Sequence, residues 1–266
     1  MSGEEEYKNL DVQVEHGRAW VAIDRPAMKN ALDGETLASL ARAFKSFEAG
    51  GEAKVVFLLG KNGIFSAGAD LAWMKRGRSR EDFLRSSRLL AEALLAVSRC
   101  PLPTVALAEQ AAMGGAMGLL AACDFVLAEE GTRLRTPELR LGLVPAVVGP
   151  YLLRRLGDRA CRSLFLRAEM IVAEDARTLG LVDHITPRGE IVSSAKAFAQ
   201  PLTEAGPSAL AACKEMLRRL PGLDPDAQTH YTVELIADLR AGREGQEGMA
   251  AFLEKRKPGW RAGGGA

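Results

Sequence analysis

Short, almost wholly apolar runs separated by helix-like segments constrain this chain more than any other feature. Residues 53–60 (AKVVFLLG) and 103–110 (PTVALAEQ) have the length of strands, and their lack of alternation is typical of strands buried on both faces. Between them, residues 81–97 predict a helix. We expect its buried side to carry Leu84, Leu89, Leu90, Leu94 and Leu95. This alternation of strand and helix predicts an α/β core.

The same alternation sets the limits of that core. Residues 10–26 alternate apolar and polar residues around a turn at His16-Gly17 and predict a hairpin. Strands and helices then alternate to about residue 187. Beyond it the pattern is helical, with Pro207 at a predicted helix start. We therefore predict a core over 1–200 and a C-terminal helical region over 201–266.

Charge and cysteine usage exclude several classes of protein. The formal net charge is +1 with acids and bases well mixed, so neither a nucleic-acid partner nor a membrane-surface partner is expected. The four cysteines and three histidines are scattered, which predicts no metal site and no disulfide framework. The acidic, polar N-terminus has neither a signal-peptide nor a transit-peptide pattern, and we expect a cytoplasmic protein.

The first chemical motif is a turn between a strand and a helix. In residues 64–75 (IFSAGADLAWMK), a Ser-Ala-Gly-Ala turn connects the two elements. Backbone amides at such a turn point outward and can bind an oxygen anion. An ordinary strand-to-helix connection has the same pattern, so this motif alone does not establish a site.

The second motif is a glycine pair that follows a strand and opens a helix. Gly114 and Gly115 begin a helical stretch, where free amides and the positive end of the helix dipole coincide. Close packing is the alternative, since Gly114 and Gly118 lie four residues apart and allow another backbone to approach. Both roles are compatible, with Gly115 presenting its amide while Gly118 packs.

The third motif supplies a carboxylate. Glu138 follows Thr136-Pro137, a pair that suits a helix cap and first turn. A glutamate there has a structural alternative, because a negative charge in the first turn stabilises the helix dipole.

Taken together and in order, six motifs resemble the enoyl-CoA hydratase/isomerase (crotonase) superfamily. The six are IDRPAMKNAL, FSAGADL, AAMGGAMGLLAACD, TPELRLGLVP, AEDARTLGLVDHI and AFLEKRKPGW. The resemblance implies a crotonase-like (ClpP/crotonase) fold of repeated ββα units with a C-terminal helical trimerisation region. It also implies an acyl-CoA thioester substrate, no cofactor apart from the coenzyme A of that substrate, and a homotrimer or a dimer of trimers.

The resemblance also assigns roles to residues. It implies that the amides of Ala69 and Gly115 form an oxyanion hole for the thioester carbonyl, and that Glu138 is the acid/base. Two preset donors would stabilise the enolate oxygen, and loss of one such donor typically costs about 3 to 4 kcal/mol. Further matching positions imply contacts with coenzyme A: the backbone near Ala31 and Leu32, the backbone of Ala67 and Leu71 at the adenine, and Phe252 and Lys255 at the nucleotide end.

One expected residue is missing. Hydratases of this family usually carry a second glutamate three residues after the oxyanion glycine, and that position is Gly118 here. With Glu138 alone, a 1,3-proton shift is compatible, and so is hydration if one carboxylate both activates water and protonates Cα. A decarboxylation or another enolate reaction is a third option. A catalytically silent binding protein on the same fold is the alternative of another class.

Two sequence segments narrow the resemblance to one branch of the family. GGAMGLLAACD and LGLVPAVVGPYLLRRLG resemble the 3-methylglutaconyl-CoA hydratases of leucine degradation and the related isohexenylglutaconyl-CoA hydratases. This implies reversible hydration of a branched, carboxylated 2-enoyl-CoA. A buried carboxylate on the substrate would need a cation in the acyl pocket. The candidates, among which the sequence does not choose, are Arg76, Arg78, Arg80, Arg85 and Arg88.

Overall fold

The computed structural model describes residues 7–262, and its strands form two sheets. The strands are β1 (Leu10–Glu15), β2 (Arg18–Ile23), β3 (Val55–Gly60), β4 (Thr104–Ala108), β5 (Ala111–Met113), β6 (Phe125–Glu129), β7 (Arg133–Arg135), β8 (Ile171–Val172) and β9 (His184–Thr186). The larger sheet has the order β1-β2-β3-β4-β6-β9, and the smaller has the order β5-β7-β8. The hairpin at β1 and β2 is antiparallel as predicted, and every other neighbouring pair in the larger sheet is parallel.

Helices connect the strands and continue beyond them. They are α1 (Gly34–Ser46), α2 (Leu71–Met74), α3 (Arg80–Arg99), α4 (Gly115–Ala122), α5 (Gly149–Arg167), α6 (Ala173–Thr178), α7 (Ile191–Glu204), α8 (Pro207–Arg219), α9 (Pro225–Ala241), α10 (Arg243–Leu253) and α11 (Gly259–Ala262). Short 3₁₀ segments lie at Pro26–Met28, Phe47–Ala49, Lys61–Gly63, Glu138–Leu141 and Leu220–Gly222. The predicted α/β class is confirmed.

The larger sheet is buried on both faces, as the continuous apolar runs predicted. In β3, Val56 and Leu58 belong to the larger apolar cluster, which includes side chains of α1, α3 and α4. Val55 and Phe57 point to the opposite face and pack in a second cluster with residues of α7. Alternate side chains of one strand thus serve two cores, which explains why the strand carries no polar face.

The prediction for the buried side of α3 is wrong at two leucines. Leu84 and Leu95 are 37% and 41% exposed, whereas Leu94 is fully buried. The helix buries its C-terminal half against α1 and α4, with Ala93, Leu94 and Val97 on the inner face. Successive helical residues are about 100° apart around the axis, so Leu95 is turned away when Leu94 faces inward. Leucine spacing alone did not identify which half of the helix is covered.

Polar contacts join the C-terminal helices to the core and to one another. Neither α8 nor α9 has a fully buried residue. Lys214 of α8 forms an ion pair with Asp124 at 2.5 Å, and Glu244 of α10 accepts hydrogen bonds from the Ser208 and Ala209 amides at 2.9 Å each. The predicted boundary after residue 200 falls within α7, which packs on the sheet. The division into two units stays a prediction.

The structure bears on cellular location in one respect. None of the described helices is long and apolar enough to cross a membrane. The N-terminal stretch behind the cytoplasmic expectation lies largely outside the described residues, since residues 1–6 are not described. A cytoplasmic location therefore stays a prediction.

Candidate active site

The loop that carries Ala69 is fixed on one side by the segment before α1. The Leu32 amide donates to the Gly68 carbonyl at 2.8 Å, and the Asp70 amide donates to the Leu32 carbonyl at 2.9 Å. This is a parallel bridge between Leu32 and Ala69. Leu32 bonds to the residues on either side of Ala69, so the amide of Ala69 itself points away from this pairing. Among residues 7–262 that amide has no hydrogen-bond acceptor.

The other side of the loop pairs with β5. Ser66 forms a parallel bridge with Ala112, through hydrogen bonds of 3.1 and 3.2 Å. Gly68 has a φ of +92°, and a Cβ added there would lie 2.6 Å from the Met113 carbonyl oxygen. Only glycine combines this conformation with so close an approach. The two pairings bring Ala69 to the cavity that the end of β5 also lines.

The second free amide lies at the start of α4. Gly114 caps this helix with φ +51° and ψ −115°, and its own amide donates to the Arg135 carbonyl at 2.9 Å. Gly115 is the first helical residue, so its amide has no partner within the helix and lies at the positive end of the helix dipole. Gly115 and Ala69 line the same cavity. The arrangement can therefore bind an oxygen atom that gains negative charge.

Glu138 lines this cavity as the first residue of the 3₁₀ segment. The predicted side-chain cap is not formed, since the Thr136 hydroxyl donates to the Leu164 carbonyl at 3.1 Å instead. The Glu138 carbonyl accepts a hydrogen bond from the Leu143 amide at 3.0 Å, which holds the segment in place.

The two oxygens of the Glu138 carboxylate differ in their surroundings. A Cβ placed on Gly114 would lie 3.3 Å from Glu138 Oε1, so this oxygen faces the glycine pair. Its other oxygen, Oε2, is buried and has no hydrogen-bond partner among the described residues. Burial raises the pKa of the Glu138 carboxyl above its usual value. A carboxyl whose neutral and charged forms are brought closer in free energy is suited to give and take protons.

The cavity around these groups is large and almost entirely apolar. Its volume is about 590 Å³. Among the described residues that line it, Glu138 is the only ionisable side chain. The remaining wall is mainly hydrophobic, with Leu37, Trp73, Phe83 and Leu90 among its members. Such a cavity suits an uncharged chain attached to one polar, reactive group.

The predicted cation is not found in this cavity. Arginines 76, 78, 80, 85 and 88 are exposed, and none of them lines the wall. They follow the loop that carries Ala69 in sequence, but α3 begins at Arg80 and carries its arginines on the solvent side. Nor does any other described lysine, arginine or histidine line the cavity.

The structure separates the predicted coenzyme A contacts into two groups. Leu32, Ala67 and Leu71 line the cavity, and Ala31 lies buried beside them at 7% exposure. Phe252 is 83% exposed near the end of α10 and does not line the cavity of this chain.

Two further predicted residues lie away from the cavity surface. Lys255 follows α10, is exposed, and does not line the cavity. Gly118 is fully buried in α4, behind the cavity wall. The roles assigned to all these residues stay predictions.

Sequence reasoning missed an ion cluster that holds the Ala69 loop against the segment before α1. Arg25 contacts the carboxylates of Asp33 and Asp70 at 3.1 Å each, and it donates to the Ala31 carbonyl. Asp33 also caps α1, and Asp70 caps α2 through the Trp73 amide. That amide, with Arg25, lowers the pKa of Asp70. Arg25 and Asp33 lie in one short segment and Asp70 lies in another, and no motif indicated the contact between them.

Comparison with known proteins agrees with this geometry. The sequence profile of the Enoyl-CoA hydratase/isomerase family matches residues 13–263. A Thermus thermophilus protein, provisionally named an enoyl-CoA hydratase, is 36% identical over 250 residues, covering 93% of this chain and 99% of the relative. The short-chain-enoyl-CoA hydratase of Clostridium acetobutylicum is 29% identical, and the match covers 95% of this chain and 97% of the relative.

Solved structures give the same result. An enoyl-CoA hydratase from Shewanella pealeana superposes with a TM-score of 0.92 at 32% sequence identity, covering 97% of both chains. Pseudomonas aeruginosa AtuE also superposes with a TM-score of 0.92, at 28% identity, covering 95% of this chain and 99% of its own.

Replacing Glu138 by glutamine should stabilise the fold at neutral pH. A carboxyl whose pKa is raised on folding binds protons more readily in the folded state, so the free energy of unfolding falls as pH rises through that pKa. Glutamine carries no charge and removes this penalty. We expect a higher Tm for Glu138→Gln at pH 7, with the difference shrinking as pH falls through the raised pKa and gone below the ordinary value of 4.5. Thermal unfolding across pH tests this.

The control is Glu92→Gln, at an exposed position of α3. It should leave the Tm close to that of the unaltered protein at every pH. An equal or lower Tm for Glu138→Gln at pH 7 would show that the carboxylate has a stabilising partner, contrary to the structure.

Proposed function

Because this chain belongs to the enoyl-CoA hydratase/isomerase family, we propose that it catalyses the reversible addition of water to a 2-enoyl-CoA thioester. The observation that carries the proposal is the meeting of three groups in one cavity: the amides of Ala69 and Gly115, and the carboxylate of Glu138. The amides are free to donate, and Oε2 of the carboxylate has no hydrogen-bond partner among the described residues.

The two amides would bind the thioester carbonyl oxygen. Their electrostatic pull draws electrons from the conjugated double bond, which makes Cβ electrophilic and stabilises the enolate that forms on attack. The backbone supplies both donors, so the thioester approaches without obstruction from side chains. The positive end of α4 adds to the stabilisation of the oxyanion.

Glu138 would then carry both proton transfers. Its carboxylate takes a proton from water while the water oxygen bonds to Cβ and the double-bond electrons move onto the thioester oxygen. The enolate collapses as the Glu138 carboxylic acid returns the proton to Cα. The sum is one water added across the double bond, and Glu138 ends ionised, as it began.

A double-bond isomerase is the alternative within enzymes. For a 3-enoyl thioester, Glu138 would remove a proton from Cα and deliver it to Cγ through a dienolate held by the same amides. This route needs no water. Both reactions use one carboxylate, and the hydratase names of the relatives favour hydration.

A catalytically silent binding protein is less well supported. The unpartnered Glu138 oxygen is buried at a cost in folding free energy. Binding an uncharged thioester would not require that cost, whereas proton transfer does.

The acyl group is proposed to be neutral, in place of the carboxylated chain that the sequence predicted. A substrate carboxylate in this cavity would have no cationic partner among the described lining residues, and Glu138 would repel it. The apolar wall instead suits a hydrocarbon chain. Without a carboxylated substrate, the expected role in leucine degradation also loses its support.

Self-association is proposed from the C-terminal helices. In α9, Val233 and Ile236 are 58% and 55% exposed, and Leu253 in α10 is 79% exposed. Apolar side chains at this density are typical of a covered surface. We propose that copies of the chain pack through this region as a trimer or a dimer of trimers. If Phe252 and Lys255 reach coenzyme A, the nucleotide end must extend beyond the cavity to this region of the same or a neighbouring copy.

A panel of thioesters tests the reaction and the acyl class together. We expect crotonyl-CoA and 2-octenoyl-CoA to gain the mass of one water, and Glu138→Gln to lower kcat/KM by about 10²–10⁴-fold while thioester binding is retained. The acidic limb of kcat/KM should lie above pH 4.5, because burial raises the pKa of Glu138. The product mass identifies the reaction, and the initial rates give kcat/KM and its pH dependence.

Other outcomes of the panel are equally clear. A 3-enoyl-CoA that shifts its double bond at constant mass, with no water added to any 2-enoyl-CoA, would identify an isomerase. Faster turnover of 3-methylglutaconyl-CoA than of the neutral thioesters would contradict the neutral acyl chain. No reaction with any member would leave only the silent binding protein.

Light scattering during size exclusion tests the proposed assembly. The unaltered protein should elute with three or six times the chain mass, and the pair Val233→Asp and Ile236→Asp should shift it toward one chain. The control Glu92→Gln should not change the mass. A monomer at micromolar concentration would contradict the proposal.

A further inference from the structure

The space for a side chain at position 118 is already filled by Val148. A Cβ built on Gly118 would lie 2.5 Å from Val148 Cγ1, 2.9 Å from Val148 Cβ and 3.2 Å from Leu94 Cδ1. Real Cβ atoms do not approach other atoms so closely. The second carboxylate is therefore absent for a structural reason as well, because its position is occupied by an isopropyl group.

Val148 is held firmly in this place. It is 2% exposed and directly precedes α5, where its carbonyl accepts hydrogen bonds from the Tyr151 and Leu152 amides at 3.1 and 3.2 Å. The following residue, Gly149, donates to the Pro145 carbonyl at 2.8 Å. A valine side chain has restricted χ1 freedom, so neither its backbone nor its rotamer readily gives way.

Val148 also lies near the oxyanion donors. Gly118 follows Gly115 by three residues and so lies on the same face of α4, about 4.5 Å further along the axis. Val148 covers Gly118 and lines the cavity that Gly115 lines. If the thioester oxygen binds the Gly115 amide, the carbons next to the carbonyl reach the Val148 isopropyl group.

We propose that Val148 is a specificity-determining residue that selects acyl groups without a branch at the β-carbon. The inference rests on the proposed thioester position. Its isopropyl group forms the wall opposite Cα and Cβ, and a methyl branch on Cβ would have to displace it. The preferred substrate is therefore both neutral and unbranched, which departs further from the branched chain that the sequence predicted.

The same side chain limits the site to one acid. An isopropyl group offers no hydrogen bond, and an ordered water needs two to four polar partners. Val148 therefore supplies neither a proton donor nor an anchor for water at this point of the wall. Glu138 is the one ionisable side chain among the described residues that line the cavity.

Binding of saturated thioesters tests the proposal without any turnover. Calorimetry would compare butyryl-CoA with 3-methylbutyryl-CoA for the unaltered protein, Val148→Ala and Val148→Thr. We expect the straight chain to bind more tightly, and Val148→Ala to reduce that preference about tenfold or more, the discrimination typical of one methyl group in an apolar pocket. Val148→Thr has nearly the same shape and should keep the preference.

The control is Val126→Ala, in β6 and away from the cavity. It removes the same two methyl groups from a fully buried position and should leave the preference unchanged. An unchanged preference in Val148→Ala, or an equal change in Val126→Ala, would overturn the proposal. Saturated thioesters do not undergo hydration, so their binding can be measured whether or not the protein is active. Binding of these thioesters without turnover of any enoyl-CoA would contradict the proposed function, and the preference for the straight chain would still test the role of Val148. No binding of either thioester would overturn both.

Thermal unfolding gives a second readout that needs no ligand. Gly118→Ala should lower the Tm by about 2–10 °C, because the added methyl overlaps Val148. Adding Val148→Ala to the Gly118→Ala variant should lower the Tm by less than Val148→Ala lowers it in the unaltered protein. A Gly118→Ala variant with unchanged Tm would show that Val148 does not fill the space.

Discussion

The site depends on one short segment that is hydrogen-bonded on both sides. Ser66 pairs with Ala112 of β5, and Ala69 pairs with Leu32 ahead of α1. These pairings use the groups that flank Ala69 and leave its amide without an acceptor among the described residues. Because β5 leads directly into α4, the same segment fixes Ala69 relative to the Gly115 amide. An oxyanion hole needs donors set in advance, and the backbone here supplies them without help from flexible side chains.

The second constraint is the isolation of one charge in an apolar cavity. Glu138 is the only ionisable side chain among the described residues that line it, and burial raises the pKa of its carboxyl. Val148 occupies the place of a second acid, so it affects the chemistry by excluding polar groups. In our proposal, the reacting carbons meet this same side chain. Reaction and acyl preference are thus linked through one side chain.

The sequence predicted the fold well because burial leaves a strong signal in it. Strands such as β3 are covered on both faces and therefore lack polar residues, which the apolar runs show directly. The buried face of α3 was less predictable, since Leu84 and Leu95 have helical spacing but lie where no neighbouring element covers them.

The site was predicted only in part. The motifs indicated Ala69, Gly115 and Glu138, which the structure brings to one cavity. The absence of a side chain at Gly118 was visible, but the sequence could not show that Val148, thirty residues away, fills the space. Contacts between distant residues depend on tertiary packing, which local motifs do not record. The same holds for the acyl pocket, where nearby arginines in the sequence suggested a cation that is not found among the described lining residues.

A crystal structure of the Glu138→Gln variant with a bound neutral 2-enoyl-CoA tests the central claim most directly. Our account predicts a thioester oxygen within about 2.7–3.1 Å of both the Ala69 and Gly115 nitrogens. It also predicts the glutamine side chain beside Cα and Cβ. A thioester carbonyl bound away from either amide, or a residue 138 side chain remote from the double bond, would contradict it.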